Sequence, residues 1–149
     1  PGISRARVKL SLRDELEICR SYLNMEKLRL NDRLTGHWKV EEQLKDKRLP
    51  SLLIQPLVEN AVIHGIEPLT EGGEIMIRIY TEANDWVIEI DNPCVDSPVD
   101  TTGNHIAQAN IRERLLAIYA GLASMQTEIS EGRYRVCIRL PLSDEEVGV

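Results

Sequence analysis

The chain has 149 residues, 42% apolar and 28% charged, with 24 Asp and Glu against 18 Lys and Arg and a net charge of −6. That length holds one domain, or one domain with an appended helix, and a sizeable core. The acidic balance argues against a nucleic-acid module, which carries a basic patch or stripe, and no apolar run approaches the ~20 residues that span a bilayer.

Pro1-Gly2 ahead of a basic stretch reads as the cut end of something longer, with no secretory signal and with any anchor upstream. Phe is absent, so Leu, Ile and Val must build the core. Cys19, Cys94 and Cys137 match no zinc or redox spacing. They read as reduced thiols in a cytosolic setting.

Residues 1–10 read as a linker or a disordered start. Ser11 then looks like an N-cap with Asp14 at N3. Leu12, Leu16, Cys19, Leu23 and Leu30 recur at helical spacing, which predicts a leading helix over 11–34. Ile18, Tyr22 and Met25 make a second apolar strip, suited either to a broad docked face or to a second neighbour. Gly36 breaks the pattern, and 37–43 reads as a strand. Lys45-Asp46-Lys47-Arg48 is a polar turn, and Pro50 suits the first turn of the next helix. Pro56 predicts a kink or a late helix start, because it lacks a backbone donor.

The stretch 52–65 has the apolar period of a helix, yet places Glu59, Asn60 and His64 within two turns. Asn60 and His64 are four apart and share a face. Glu59 lies about 100° round from Asn60. Such a helix suits a binding site, and it also suits an ordinary surface helix. Gly65 reads as its C′ residue.

After a loop over 68–73, the alternating segments 74–80 and 86–91 predict a hairpin through Asn84-Asp85, with Asp91 at the end of a central strand. The stretch 92–105 holds prolines, aspartates and little apolar content, and reads as a long lid loop. Residues 106–120 are helical, with Ile106, Ala109, Leu115, Leu116 and Tyr119 as inner candidates. A final hairpin joins 125–130 to 134–140, before an acidic tail over 142–149. Hairpin-linked strands plus helices give an α/β (α+β) two-layer sandwich: a mixed, mostly antiparallel sheet with helices on one face.

The segment 49–65 resembles the N-box of the GHKL ATPases, the Bergerat-fold family that includes sensor histidine kinases. Its wording, Gln55-Pro56-Leu57-Val58-Glu59-Asn60-Ala61 with His64-Gly65, is similar to that of the LytS/YehU-type sensor kinases, with the alginate and fimbrial sensors as the nearest type. Leu16, Tyr22-Leu23, Glu26 and Arg29 resemble that subfamily's preceding helix. Asn110-Ile111-Arg112-Glu113-Arg114-Leu115 with Tyr119 resembles its helix after the ATP lid. The likeness runs from about residue 10 to 141.

The resemblance implies a Bergerat-type ATP-binding domain over 35–141 that carries ATP and Mg²⁺. Asn60 would hold the metal, with Glu59 beside it to polarise or orient a group and His64 near the phosphates. Asp91 would read the adenine amino group, with Asn92, Gly103, His105, Ile106, Asn110 and Arg112 around the nucleotide. It also implies an upstream dimerisation segment bearing the acceptor histidine, and a response regulator of LytTR type as the next phosphate carrier. Direct nucleic-acid contact, and membrane contact by this segment, are not expected. The setting is the cytoplasmic side of an inner-membrane-anchored sensor.

Several positions depart from the family wording. Asp91-Asn92-Pro93 replaces Asp-x-Gly, the lid keeps only Gly103 of its glycines, and Ile63 stands where a Lys is common. Each lost charge-assisted contact costs about 1.5–3 kcal/mol. The departures leave room for an alternative: a degenerate GHKL domain acting as a non-catalytic interaction module with weak or no ATP binding.

Overall fold

The computed structural model describes residues 9–94 and 102–143, the side chains of 102–107 excepted. The elements in chain order are β1 (Lys9–Ser11), α1 (Leu12–Leu30), β2 (Leu34–Val40), β3 (Arg48–Pro50), α2 (Gln55–Asn60), β4 (Gly73–Glu82), β5 (Asp85–Pro93), α3 (Thr102–Tyr119), β6 (Ser124–Ser130) and β7 (Arg133–Pro141). α2 runs on without a break into a π-helical turn, Ala61–Ile66.

α1 begins where the sequence places it. The Ser11 hydroxyl accepts from the Asp14 amide at 3.1 Å, satisfying one of the orphan donors of the first turn. Its buried stripe is Leu12, Leu16, Cys19, Leu23 and Leu30. The helix stops at Leu30 rather than 34, because Asn31 turns left-handed at φ 54. A short 3₁₀ turn, Asn31–Arg33, follows it, and Leu34 opens β2. The strand expected over 37–43 is therefore shifted to Leu34–Val40. The polar turn expected next is a 3₁₀ segment, Glu42–Asp46, that buries Leu44.

The main sheet has five strands in the order β2-β4-β5-β7-β6. β2 and β4 are parallel and the other pairs antiparallel. The expected two-layer sandwich with a mixed, mostly antiparallel sheet is the fold observed. One face of the sheet carries Ile75, Ile77, Ile79, Trp86, Ile88, Ile90, Val136, Ile138 and Leu140, all buried in one continuous core with the inner faces of the helices. Strand alternation sends the neighbouring residues to the opposite face. There Glu89 accepts from the Tyr80 hydroxyl at 2.5 Å and pairs with Arg78 at 3.4 Å, so polar and charged contacts line that side.

β1 and β3 form a separate two-stranded ladder, with Lys9 opposite Pro50. The sequence placed Pro50 in a helix. It instead closes β3, an end position where the missing donor breaks no ladder bond. The last hairpin turns through Glu131 (φ 52) and Gly132 (φ 75), the left-handed pair that a two-residue loop requires. On α3 the buried residues include Ile111, Leu115, Ile118 and Tyr119. Leu116 and Ala109 face outward, against expectation. The strand end at Pro93 and the helix start at Thr102 trim the expected loop over 92–105 at both ends. Residues 95–101 of it, residues 1–8 of the expected linker over 1–10 and residues 144–149 of the expected tail over 142–149 lie outside the described residues; Lys9 and Leu10, expected in that linker, instead pair with Pro50 and Leu49 in β1.

Candidate functional site

α2 starts from a knot in the chain. Leu52 is left-handed at φ 57, a conformation that costs a residue with a Cβ about 1–2 kcal/mol. The turn is held from two sides. Glu15 of α1, fully buried, accepts from the Leu52 amide at 3.0 Å, the Ile54 amide at 2.9 Å and the Gln55 amide at 3.2 Å. Arg114 of α3 donates to the Leu52 carbonyl at 2.9 Å and also to the Ser51 carbonyl. Ile54, the N-cap residue of α2, makes no side-chain cap, so Glu15 caps the helix from another element. The carboxylate meets the helix dipole at its positive end. Pro56 then falls in the first turn, where a missing donor is harmless. The late start that the sequence predicted is what forms.

Glu15 was not singled out by sequence reasoning. Its signal was present: an acidic residue three after Leu12 and one before Leu16, inside the apolar stripe of α1. A carboxylate in such a stripe needs donors, and the amides of residues 52–55 supply them.

On α2 the three polar residues are all half-buried. Glu59 lies toward α1. Its charge helps push the Cys19 thiol up to about 12 and the Tyr22 hydroxyl up to about 12; burial is the main cause in both, with Glu15 and Glu26 respectively ahead of Glu59. Asn60 carries a buried amide nitrogen with no hydrogen-bond partner among the described residues. A buried polar atom left unpaired costs about 1–3 kcal/mol, so a bound group that meets it gains that much. The amide's two ends exchange by a half-turn of its terminal torsion. As an oxygen the buried end holds a cation; as NH₂ it donates to a phosphate oxygen. His64 sits one turn on, inside the π segment, where the Glu67 amide reaches back to the Val62 carbonyl at 2.9 Å. Such π turns recur at functional sites.

Gly65 is not a C′ residue. It lies within the π turn, and the helix continues to Ile66. A Cβ built there would stand 2.4 Å from the Asn92 amide nitrogen and 3.0 Å from the Pro93 carbonyl. Glycine is present so that the end of β5 can cross directly against the helix.

That crossing changes the reading of β5. Trp86, Ile88 and Ile90 face the helices, and alternation puts Asn92 in the same row, 5% exposed and against Gly65. Asp91 points to the other face. Its carboxylate takes Arg133 Nε at 2.5 Å, and Nε and Nη2 of Arg135 at 3.3 Å. The residue the sequence nominated as adenine reader is therefore an ion-pair centre between β5 and β7. The side chain turned toward α2 is that of Asn92, whose Nδ2 donates to the Pro93 carbonyl at 2.7 Å.

Gly103, His105 and Ile106 fall in the first turns of α3, with side chains outside the described ones. No acidic residue occupies that first turn. Asn110 is exposed. Arg112 donates from Nη1 to the Met125 carbonyl at 2.6 Å. It ties α3 to β6, a structural use that the nucleotide-binding expectation did not foresee. Among the described residues no cluster of three or more His, Cys, Asp or Glu is arranged to hold a metal, and no helix is long and apolar enough to cross a membrane.

No family model matches the chain. It is similar to the sensor histidine kinase BtsS of Escherichia coli, 31% identical over 140 residues that make up 91% of this chain and 24% of that protein. It is also similar to the sensor protein LytS of Staphylococcus epidermidis, 23% identical over 89% of this chain and 24% of that protein. The chain thus spans about a quarter of the length of the curated relatives it matches. In structure it is similar to the catalytic domain of histidine kinase ThkA, with a TM-score of 0.63, 16% identity, and coverage of 90% of this chain and 94% of that one. ThkA has also been solved in complex with the response regulator protein TrrA; that kinase matches with a TM-score of 0.62 at 17% identity, over 91% of this chain and 42% of that one.

Proposed function

From the premise that this chain has the fold of histidine kinase catalytic domains and is related in sequence to LytS-type sensor histidine kinases, we propose that it is the ATP-binding catalytic domain of a two-component sensor kinase. In this reading the γ-phosphoryl group of ATP passes to a histidine in a preceding segment of the longer protein, and from there to a response-regulator Asp. The observation that carries the reading is the buried amide nitrogen of Asn60, without a hydrogen-bond partner among the described residues, on a helix whose next turn is crossed by Asn92.

The residues fit a magnesium nucleotide. Mg²⁺ favours oxygen ligands and keeps several waters, so one amide oxygen from Asn60 with phosphate oxygens suffices without a carboxylate cage. Bound ATP supplies the transferable group and the metal offsets its charge. Asn92 offers an amide that both accepts and donates, which matches the adenine edge, and its burial penalises any base that leaves it unpaired. Asp91 holds β5 to β7. Glu59, on the side of α2 that faces α1, orients the incoming acceptor. His64 and Asn110 stand at the phosphate side, together with the backbone of Gly103, His105 and Ile106.

α2's own N-terminus is occupied by Glu15, and Arg112 and Arg114 are engaged with carbonyls. Neutralising the phosphates therefore falls to the metal and to the start of α3, whose first turn carries no acidic side chain. The partners follow the same reading: a preceding dimerisation segment, a response regulator of LytTR type, and a membrane anchor elsewhere in the longer chain.

Titrating Mg·ATP against wild type, Asn60→Ala, Asn92→Ala and Asp91→Asn, by thermal shift and tryptophan fluorescence, tests the proposal. Nucleotide at 100 times its Kd adds about 2.7 kcal/mol of stability. Wild type and Asp91→Asn are expected to show the shift, and the two asparagine variants to lose it. No shift in wild type at several millimolar Mg·ATP overturns the assignment.

A further inference from the structure

The turn at residues 51–55 is bound twice over, and by opposite groups of the same peptides. Glu15 holds amides of residues 52, 54 and 55. Arg114 holds carbonyls of residues 51 and 52. Leu52 is thus gripped at its N–H from α1 and at its C=O from α3. Leu52 is 48% exposed and gains little from burial of its own. Its left-handed φ of 57 persists because the surroundings over-determine it. Glu15 and Arg114 also act on each other: burial lowers the pKa of the Arg114 guanidinium, while the Glu15 charge raises it. The bonded peptides between a carboxylate and a guanidinium are polarised in one sense, so each grip strengthens the other.

We propose that Glu15 and Arg114 are paired positioning residues. From α1 and α3 they clamp the turn that launches α2, so that the placement of Asn60 depends on both flanking helices at once. The pair touches no substrate and acts only through the turn. The proposal rests on the nucleotide reading for its functional arm, and its structural arm stands without it.

A merely local role predicts that removing Arg114 frees two carbonyls and leaves the amides on Glu15 as they were. The clamp predicts otherwise. Amide hydrogen exchange by NMR on the whole chain distinguishes the two, using Arg114→Gln, Glu15→Gln, the double variant, and Arg13→Gln as a control. Arg13 lies on the exposed side of α1, paired with Asp46 at 3.4 Å. Arg114→Gln is expected to speed exchange of the Leu52, Ile54 and Gln55 amides about tenfold, though Arg114 bonds none of them, while the sheet amides keep their protection. Mg·ATP affinity is expected to weaken about tenfold in each single variant, and no further in the double. Arg13→Gln should leave both readouts unchanged.

Unaltered exchange at residues 52, 54 and 55 in Arg114→Gln overturns the clamp. So do single-variant losses in affinity that simply multiply in the double. If Glu15→Gln fails to fold, the half-buried Arg114 variant still decides by exchange and affinity. If wild type binds no Mg·ATP, the nucleotide reading falls while the exchange result judges the clamp on its own.

Discussion

Replacing Gly65 by alanine pits two opposing effects against each other. Alanine in a helix interior is ordinarily better than glycine by about 1 kcal/mol. Here the added methyl would meet the Asn92 amide nitrogen at 2.4 Å, its Cγ at 2.9 Å and the Pro93 carbonyl at 3.0 Å. Asn92 is 5% exposed, so it has no solvent to swing into, and one of the obstacles is backbone. Overpacking of this kind costs about 1–3 kcal/mol. Displacing the Asn92 side chain also breaks its 2.7 Å bond to the Pro93 carbonyl, worth about 1 kcal/mol more. The steric side wins, leaving a net loss of about 1–3 kcal/mol, or roughly 3–10 °C in Tm for a chain of this size. On the proposed nucleotide reading, affinity is expected to fall with it, because Asn92 is the group displaced. Differential scanning calorimetry and a parallel Mg·ATP titration read the two effects. A Gly65→Ala protein that melts at or above wild type and binds ATP equally well would refute the close crossing of β5 on α2.

Asp91→Asn removes the carboxylate shared by Arg133 and Arg135 and is expected to cost about 1–3 kcal/mol in urea unfolding, with nucleotide affinity intact; a lost affinity would return the adenine role to Asp91. Cys19 is pushed from its ordinary 9.0 up to about 12 by burial, then by Glu15 and Glu59. Its folded pKa lies above its unfolded one, so its contribution is full below pH 9 and is lost as pH rises toward about 12. Stability should therefore fall over that window, and Cys19→Ala should flatten the slope. Glu131→Asn places a residue tolerant of φ 52 in the last hairpin turn. It should raise stability by about 0.5–1 kcal/mol without affecting nucleotide binding; an unchanged denaturation midpoint argues against the turn assignment.

The layers of this fold were legible because burial imposes a period. Leu12, Leu16, Cys19 and Leu23 declared α1, and the alternation of Ile75, Ile77 and Ile79 declared β4. Phase along β5 was legible too: Trp86, Ile88 and Ile90 put Asn92, not Asp91, on the inner face. The family wording drew attention to the aspartate, whose carboxylate lies on the other face, paired with Arg133 and Arg135. Other features had no local signature. Leu52 and Gly65 answer to distant partners: the left-handed turn at Leu52 is fixed by Glu15 and Arg114, and the missing side chain at Gly65 by the approach of β5. Arg112 and Arg114 sit on one helix with similar exposure patterns in sequence. Only tertiary contacts reveal that one grips Met125 and the other the turn before α2.

The short β1–β3 ladder has a mechanical meaning. Lys9 lies opposite Pro50, and Ser11 opposite Arg48, so the strand leading into α1 is stitched beside the strand leading into the 51–55 turn. Tension or torque arriving along the backbone at Lys9 reaches Pro50 laterally, through rungs, without first travelling the length of α1. The domain thus presents a handle at its amino-terminal side whose shortest load path ends beside the support of Asn60.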